Sequence, residues 1–450
     1  MRKIHTLIIV GLLSLSMNAQ IINIPDINFK NALIYTYCVD NNNDSSYEND
    51  VDINNDGEIQ MSEALMVTSL SVDNENISNL TGIEAFVNLT KLDCSYNNLS
   101  TVNLSDLAQL THLNLSNNQL TAINPTNIFV NITNLNINNN LISSINLTLF
   151  PNLIVLNCSH NLLTDIDLQN MQSLYSVVCN NNSLSSLNVN NLNNLSYIDC
   201  SYNSIINLSV SNLTNLINLV SNNNSISNLN IINCPELRYF HINNNSLSSL
   251  DLSNSLNLIT LYCFDNILSN INLYNCSNLT NLYCENNYLT TLDLSTCSSL
   301  EQLNCHHNEL TYINLKNNKR ESGCNFCNNQ NLNFICVDDT PTEIQQINFQ
   351  ATLCGYNNIV INSNCLLSYE ESATFTDFKV YPNPADSVLY IETKNNQKIN
   401  SVIFYNSLGQ IVFNEKTGNR VFPISYLKSG YYIIQIEYDF GMQIEKFIKN

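Results

Sequence analysis

The sequence predicts a repeat solenoid whose coils stack a parallel β-sheet along one face. Three observations carry this: an apolar frame recurs every 21 residues, its first positions alternate with polar neighbours, and one place in it is always Asn. In the stretch 282–300 apolar residues stand at frame positions 1, 3, 8, 11, 13, 16 and 19, with Asn287 at position 6. The frame restarts at Leu92, Leu113, Leu135, Leu156, Val177, Ile198, Leu219, Phe240, Leu261, Leu282 and Leu303. One step is 22 residues, where Pro125 sits in the longer repeat. Position 6 is Asn in all eleven, from Asn97 to Asn308, and a weaker copy begins at Leu70 with Glu75 in the Asn place. Alternation at positions 1 to 3 gives each repeat one short strand with two inward side chains. A single repeat cannot bury those residues, but a stack of them makes a continuous core. A buried Asn in the turn can satisfy backbone groups of adjacent coils. It also tolerates left-handed φ, which accounts for only 9 Gly in 450 residues. Ser221 at position 3 and Ser255 at position 16 depart from the frame without breaking its period.

With this frame, residues 70–335 resemble the leucine-rich repeat family, in a short form akin to the internalin-like and bacterial-surface types. The resemblance implies about twelve repeats, and twelve strands at ~4.8 Å spacing give a concave sheet ~58 Å long.

Ahead of the array, residues 1–19 read as a secretory signal peptide. Arg2 and Lys3 precede an apolar run from residue 7 to residue 15, and Ala19 ends a small-residue cleavage site. No later apolar run is long enough to cross a bilayer, so no transmembrane segment is expected. Residues 20–69 form an N-terminal cap, in which the segment 25–33 has the pattern of a short capped helix. The cap is acidic: between Asn31 and Thr90 there are eleven Asp or Glu and no Lys or Arg. Within it, residues 52–63 match the twelve-residue EF-hand loop, with oxygen-bearing residues at loop positions 1, 3, 5 and 12 and Gly57 at position 6. By that resemblance Asp52, Asn54, Asp56 and Glu63 would ligate one Ca²⁺ through their side chains. Glu58 would ligate through its carbonyl, and Gln60 through water. There is one loop and its incoming side is a poor helix, which points to a structural site rather than a paired sensor.

Sixteen Cys in an exported chain would ordinarily be counted as disulfides. Here Cys94, Cys158, Cys179, Cys200, Cys263, Cys284 and Cys305 fall at inward position 3, and Cys234, Cys276 and Cys297 at inward position 16. These ten are expected to be buried thiols acting as small hydrophobes. Cys38, Cys324, Cys327, Cys336, Cys354 and Cys365 lie outside the clear repeats. Cys324 and Cys327 have metal-ligand spacing, but no second such pair completes a zinc site. A disulfide among these six, sealing the terminal coils, is the expectation. Residues 336–365 form the C-terminal cap and residues 366–377 a linker.

After residue 377 Asn thins out, and 8 of the 16 basic residues fall between Lys379 and Lys449. Seven short strand-like runs in residues 378–450 predict a small β-sandwich. The segments Tyr381-Pro382-Asn383-Pro384, Asn406-Ser407-Leu408-Gly409-Gln410, Leu427-Lys428-Ser429-Gly430-Tyr431-Tyr432 and Lys446-Phe447-Ile448-Lys449 resemble the type A C-terminal sorting domain of the bacterial type IX secretion system. That implies an encounter with the secretion machinery and a secreted or outer-membrane surface location.

Function is read from composition and from the concave face. With 16 basic against 37 acidic residues the formal charge is −21, which argues against nucleic-acid and anionic-membrane partners. The concave face is carried by frame positions 21, 2, 4 and 5. In the early repeats these are mostly Asn, Ser and Asp; later ones concentrate Tyr239, His241, Tyr262, Phe264, Tyr283, Glu285, His306 and His307. Aromatic rings with hydrogen-bonding rims are the composition of recognition surfaces. No nucleophile elbow or catalytic constellation stands out. His306 and His307 are adjacent, so in a strand their side chains would point to opposite sides. The expectation is a non-catalytic binding protein for an extracellular protein or glycan. A passive structural surface component is the alternative, and an extracellular hydrolase using the histidines is a remoter one.

Overall fold

The computed structural model describes residues 20–365 except 41, 43, 45, 124–126 and 254, and residues 378–450 except 394–397, 407–409, 417 and 439–440. The expected signal peptide, the expected linker and the middle of the Asn406–Gln410 motif lie outside the described residues. The chain divides into two units, Met1–Cys365 and Leu366–Asn450.

In the first unit the frame becomes a parallel sheet of thirteen strands, each three residues long. Position 1 pairs with position 1 throughout, from Leu70 with Leu92 to Leu282 with Leu303. The array continues one coil further than the frame indicates. Gly323–Asn325 pairs with Gln302–Asn304, placing Cys324 at position 1, Phe326 at position 3 and Asn329 at position 6. Cys324 is thus a coil residue, and it takes no part in a disulfide. The Leu-to-Cys change hid this coil, together with Gly323, over which the Gln302 side chain lies so closely that a Cβ would meet its Oε1 at 2.3 Å. A second correction concerns the number of strands per coil. From the coil that starts at Val177, positions 10 to 12 form another strand, beginning with Ser186–Asn188 and Asn207–Ser209. Apolar positions 11 and 13 bear the same alternation as 1 and 3, so these later coils have strands on both faces.

The Asn at position 6 joins neighbouring coils. Asn287 Nδ2 donates to the carbonyls of Cys263 (3.0 Å), Cys284 (3.1 Å) and Glu285 (3.2 Å), while its Oδ1 accepts the Leu268 N–H (2.8 Å). The same four bonds recur along the array, for example at Asn203 and Asn308. Asn329 makes them on the thirteenth coil. The left-handed backbone falls one place earlier than the sequence indicates, at position 5. Twelve residues there, including Tyr96, Asn117, His160, Tyr202, Asp265, Asn286 and His307, have φ between 51° and 57°. Position 6 needs the amide for its bonds, so the turn that presents it requires the strained φ at its neighbour.

All ten frame cysteines are buried with free thiols. Burial pushes these thiols up, that of Cys158 to about 12, so they act as apolar groups rather than nucleophiles. Ser221 fits position 3 because its hydroxyl donates to the His241 carbonyl at 3.2 Å. Both ends of the core are sealed. The helix Ile27–Tyr35 covers the first coil, with Asp26 as its N-cap accepting from the Asn28 and Phe29 N–H groups. The other oxygen of Asp26 accepts from Ser78 N and Oγ and from Asn79 N at 2.8 to 2.9 Å, binding cap to coil. At the far end the helix Pro341–Leu353 is fastened by disulfides Cys327–Cys354 and Cys336–Cys365. Cys38 stays a buried thiol.

In the second unit, Phe378–Tyr381, Val388–Thr393 and Val421–Pro423 form one antiparallel sheet. Ile411–Glu415, Ile399–Asn406, Gly430–Tyr438 and Gly441–Lys449 form the other. Leu389, Val402, Phe404, Phe422, Ile434, Ile436 and Phe447 are the buried core between them.

Candidate functional site on the concave face

Two outward columns run along the thirteen-stranded sheet, because only the middle residue of each strand points inward. In one column Tyr239, Thr260, Asn281 and Gln302 are register partners; in the other, His241, Tyr262, Tyr283 and Asn304. The second column gathers rings around Tyr262. His241 stacks on it at 4.6 Å and 15°, and Tyr283 meets it edge-on at 5.0 Å and 82°. Phe264, at position 4 of the same coil, approaches at 6.4 Å. Tyr239 stands in the other column, next to Thr260.

The remaining expected residues form a second group. His306 and His307 do not diverge: the left-handed φ of His307, 52°, turns its ring edge-on to that of His306 at 4.7 Å. His241 and His306 are three coils apart, ~14 Å at the usual strand spacing, so they cannot act on one bond together. Burial lowers the pKa of His241 against the pull of Asp199, and lowers that of His306 with help from His307. Burial raises the carboxyl pKa of Glu285, and Asp265 adds to it against the Asn304 side chain and a backbone N–H. Burial thus favours the neutral forms of His241 and His306. The chemistry such a surface offers is stacking and neutral hydrogen bonding.

The first coils carry a hollow of their own. Here Lys91, His112, Asn134 and Val155 share one outward column, and Asp93, Asn114, Asn136 and Asn157 the other. Tyr47 from the N-terminal cap joins them to line a hollow of about 370 Å³. Lys91 is the one Lys or Arg on the thirteen strands, a signal visible in the sequence once charge is read strand by strand.

The acidic loop lies beside this end. Asp52 and Glu63 are buried. Asp52 accepts the N–H groups of Asp56 (3.1 Å) and Gly57 (2.8 Å), and Glu63 those of Asn54 (3.3 Å) and Gln60 (2.9 Å). The Gln60 amide nitrogen lies against both Asp56 oxygens (3.0 and 2.9 Å) and the Glu58 carbonyl (3.4 Å). It thus brings a positive N–H edge to oxygens assigned to a cation. The donor set is all hard oxygen, which fits Ca²⁺ in kind. Among the described residues, however, no three His, Cys, Asp or Glu side chains are gathered closely enough to hold a metal.

The fold has solved counterparts. The functional domain of InlJ from Listeria monocytogenes, described as including a cysteine ladder, aligns at TM-score 0.55 and 21% identity over 87% of this chain and 93% of its own. Lower on the scale are a leucine-rich repeat protein of Leptospira interrogans (TM-score 0.48, 22% identity, 62% and 74% covered) and internalin InlF of Listeria monocytogenes (0.45, 21%, 78% and 92%). No curated protein sequence matches the chain. Residues 379–450 match the secretion system C-terminal sorting domain family. The array thus has a leucine-rich-repeat fold, and residues 379–450 are a type IX sorting domain. The sorting domain marks the chain for secretion and cell-surface attachment, and no described helix is long and apolar enough to cross a membrane.

Proposed function

We propose that this exported leucine-rich-repeat protein is a non-catalytic binding protein that offers the rings around Tyr262 to an extracellular protein or glycan. The observation that carries the reading is the packed set His241, Tyr262, Phe264 and Tyr283 on a rigid sheet. Rings already held by one another lose little conformational freedom on binding, which favours affinity. A glycan and extracellular-protein array probed with the chain lacking its signal peptide tests it. Tyr262→Ala should weaken the leading ligand at least tenfold, as central interface aromatics do, and Tyr283→Ala somewhat less. Ordered assembly of the chain with no selective ligand would replace this reading with a structural surface component. Equal binding by the parent and both variants would move the site elsewhere.

We further propose that the loop 52–63 takes one Ca²⁺ through Asp52, Asn54, Asp56, the Glu58 carbonyl and Glu63, with the Gln60 amide displaced. Ca²⁺ would bind the folded cap and so stabilise it by mass action. Isothermal titration should find one site, and the melting temperature should fall in chelator. No bound Ca²⁺ together with an unchanged melt would discard the site.

A further inference from the structure

We propose that the ring set around Tyr262 recognises a guanidinium, the side chain of an Arg presented by an extracellular protein, with Glu285 and Asp265 supplying the counter-charge. The inference rests on the reading of that set as a binding site, and it names the chemistry of the partner.

The rings are placed for a cation. Tyr262 has Tyr283 at 5.0 Å and Phe264 at 6.4 Å between ring centroids, and all three are partly exposed. A cation is attracted to a ring within about 6 Å of its centroid, so one group over Tyr262 is in reach of all three. Beside the rings, acceptors lack donors. Glu285 stands at frame position 4, one coil on from Phe264. Its carboxyl meets the side chain of Asn304, the register partner of Tyr283. Glu285 Oε2 and Asn304 Oδ1 are both shielded from water and have no hydrogen-bond partner. The Asp265 N–H donates to the Glu285 carbonyl at 3.0 Å, which makes the two acids neighbours. Burial raises the carboxyl pKa of Glu285 and Asp265 adds to it, beyond what Asn304 and a backbone N–H offset. A cation above the rings supplies the donors and the charge that these oxygens lack, once the half-buried carboxyl turns to meet it.

No cation of the chain competes for this place. Between Arg238 and Lys316 the sequence has no Lys or Arg, and residues 20–365 carry 28 acidic against 6 basic residues. Among the described residues neither Glu285 nor Asp265 makes an ion pair. Asp265 Oδ1 accepts only a neutral donor, Asn286 Nδ2 at 2.8 Å. Of the imidazoles nearby, those of His241 and His306 are pushed by burial toward the neutral form, against the pull of Asp199 and Asp265. His307 is engaged by His306 and by Asn328. The class of cation follows from the two unpartnered oxygens. A quaternary ammonium can sit on the rings but has no hydrogen to give. A Lys ammonium gives three from one point, whereas a guanidinium gives five in a planar fork and lies flat on a ring while doing so. An uncharged sugar leaves the two acids unanswered, and an acidic sugar is repelled by them.

Ligand-observed NMR titration of the chain lacking its signal peptide tests this. The probes are a capped Gly-Gly-Arg-Gly-Gly peptide, its counterparts with Lys or citrulline in place of Arg, and tetramethylammonium. The Arg peptide should bind, and the Lys peptide a few-fold more weakly. Citrulline keeps the shape without the charge and should bind at least tenfold more weakly. Glu285→Gln and Tyr262→Ala should each weaken the Arg peptide about tenfold. Asp265→Asn, at an exposed position whose φ of 52° Asn also adopts, should weaken it about threefold. Tyr274→Ala, which removes an exposed ring just past the strand Asn270–Asn272 of the opposite face, should leave it unchanged. Lys, citrulline or tetramethylammonium equal to Arg, or full binding of the Arg peptide by Glu285→Gln, would each overturn the proposal. An uncharged glycan that binds the parent and is lost in Tyr262→Ala, with no binding of the Arg peptide, would keep the ring set as a binding site and overturn the guanidinium. Array ligands held equally by the parent and Tyr262→Ala would overturn both.

Discussion

Replacing Asn287 by Ala should cost about 2–4 kcal/mol of stability, and replacing it by Asp should cost more at neutral pH. The difference follows from what each partner loses. The ladder is doubly connected: the Cys263 carbonyl also takes Asn266, at 3.2 Å, and the Cys284 carbonyl also takes Asn308, at 3.0 Å. In the Ala variant these carbonyls keep one partner each. The Leu268 N–H, buried on the preceding coil, loses its side-chain acceptor, and an orphaned buried donor costs about 1–3 kcal/mol. Lost packing and the weaker bond to Glu285 account for the remainder. In the Asp variant the acceptor for Leu268 is kept, but a carboxylate oxygen faces three carbonyl oxygens in a buried turn. Its folded pKa must then lie above the ordinary Asp value. Stability is therefore greatest at low pH, where the acid is protonated and can donate one bond, and falls as pH rises through that raised pKa. Thermal melts of both variants between pH 5 and 8 check this. Asn286→Gly at the exposed left-handed position next door, φ 55°, should be near neutral. If Asn287→Asp is as stable as Asn287→Ala at pH 8, the ladder does not hold the coils as described.

How much of this was legible in the sequence depends on whether a residue's role is set by the repeat or by what the repeat brings near it. Inward residues were legible because burial recurs every 21 residues: Cys94, Cys263 and Leu282 are all fully buried where the frame puts them. Sheet register and the Asn bonds follow from the same period. The shift of left-handed φ from Asn97 to Tyr96 was not legible, because the frame records residue type and not backbone angle. Nor was the thirteenth coil, in which Cys324 replaces the aliphatic residue at position 1. The ring cluster was half legible. Period placed His241, Tyr262 and Tyr283 in one column, but the turn at position 5 decided that His307 folds back on His306. The Lys91–His112 hollow was missed because its wall, Tyr47, comes from the cap, at no fixed offset from the frame. The disulfide pairs were hidden for the same reason. They join residues 27 and 29 apart across a helix that belongs to no repeat.

The C-terminal cap should loosen as pH rises through about 7, opposite in sign to the N-terminal one. Glu321, just ahead of the thirteenth coil's strand, and Glu343, in the first turn of the helix Pro341–Leu353, are each 1% exposed. Asn317 Nδ2 donates to Glu321 Oε1 at 3.0 Å, while Glu321 Oε2 and both oxygens of Glu343 have no well-formed hydrogen bond. Burial raises both carboxyls to about 7. Glu343 and Asp338 push Glu321 further up; Asp338 does the same for Glu343, against the charge of Arg320. A folded pKa above the unfolded value near 4.5 means that the folded cap holds protons the unfolded chain releases. Its stability is thus fully present below about pH 4.5 and is lost as pH rises through 7. At the other end, the hydrogen bonds to Asp26 outweigh its burial and hold its carboxyl below the ordinary value, so that support is lost only under acid conditions. Glu343→Gln keeps the shape and removes the charge. At pH 8.5 it should stabilise the cap by about 3 kcal/mol, since a shift from 4.5 to about 7 corresponds to that much, and the gain should vanish near pH 4.5. Glu321→Gln should act in the same direction. The double variant should gain less than the sum, because each removal relieves part of the other's repulsion. Amide exchange in residues 341–353 reads the cap directly, with residues 27–35 as the internal reference. Exchange in 341–353 that is the same at pH 6 and pH 8.5, in parent and Glu343→Gln alike, would show that these carboxyls do not govern the cap.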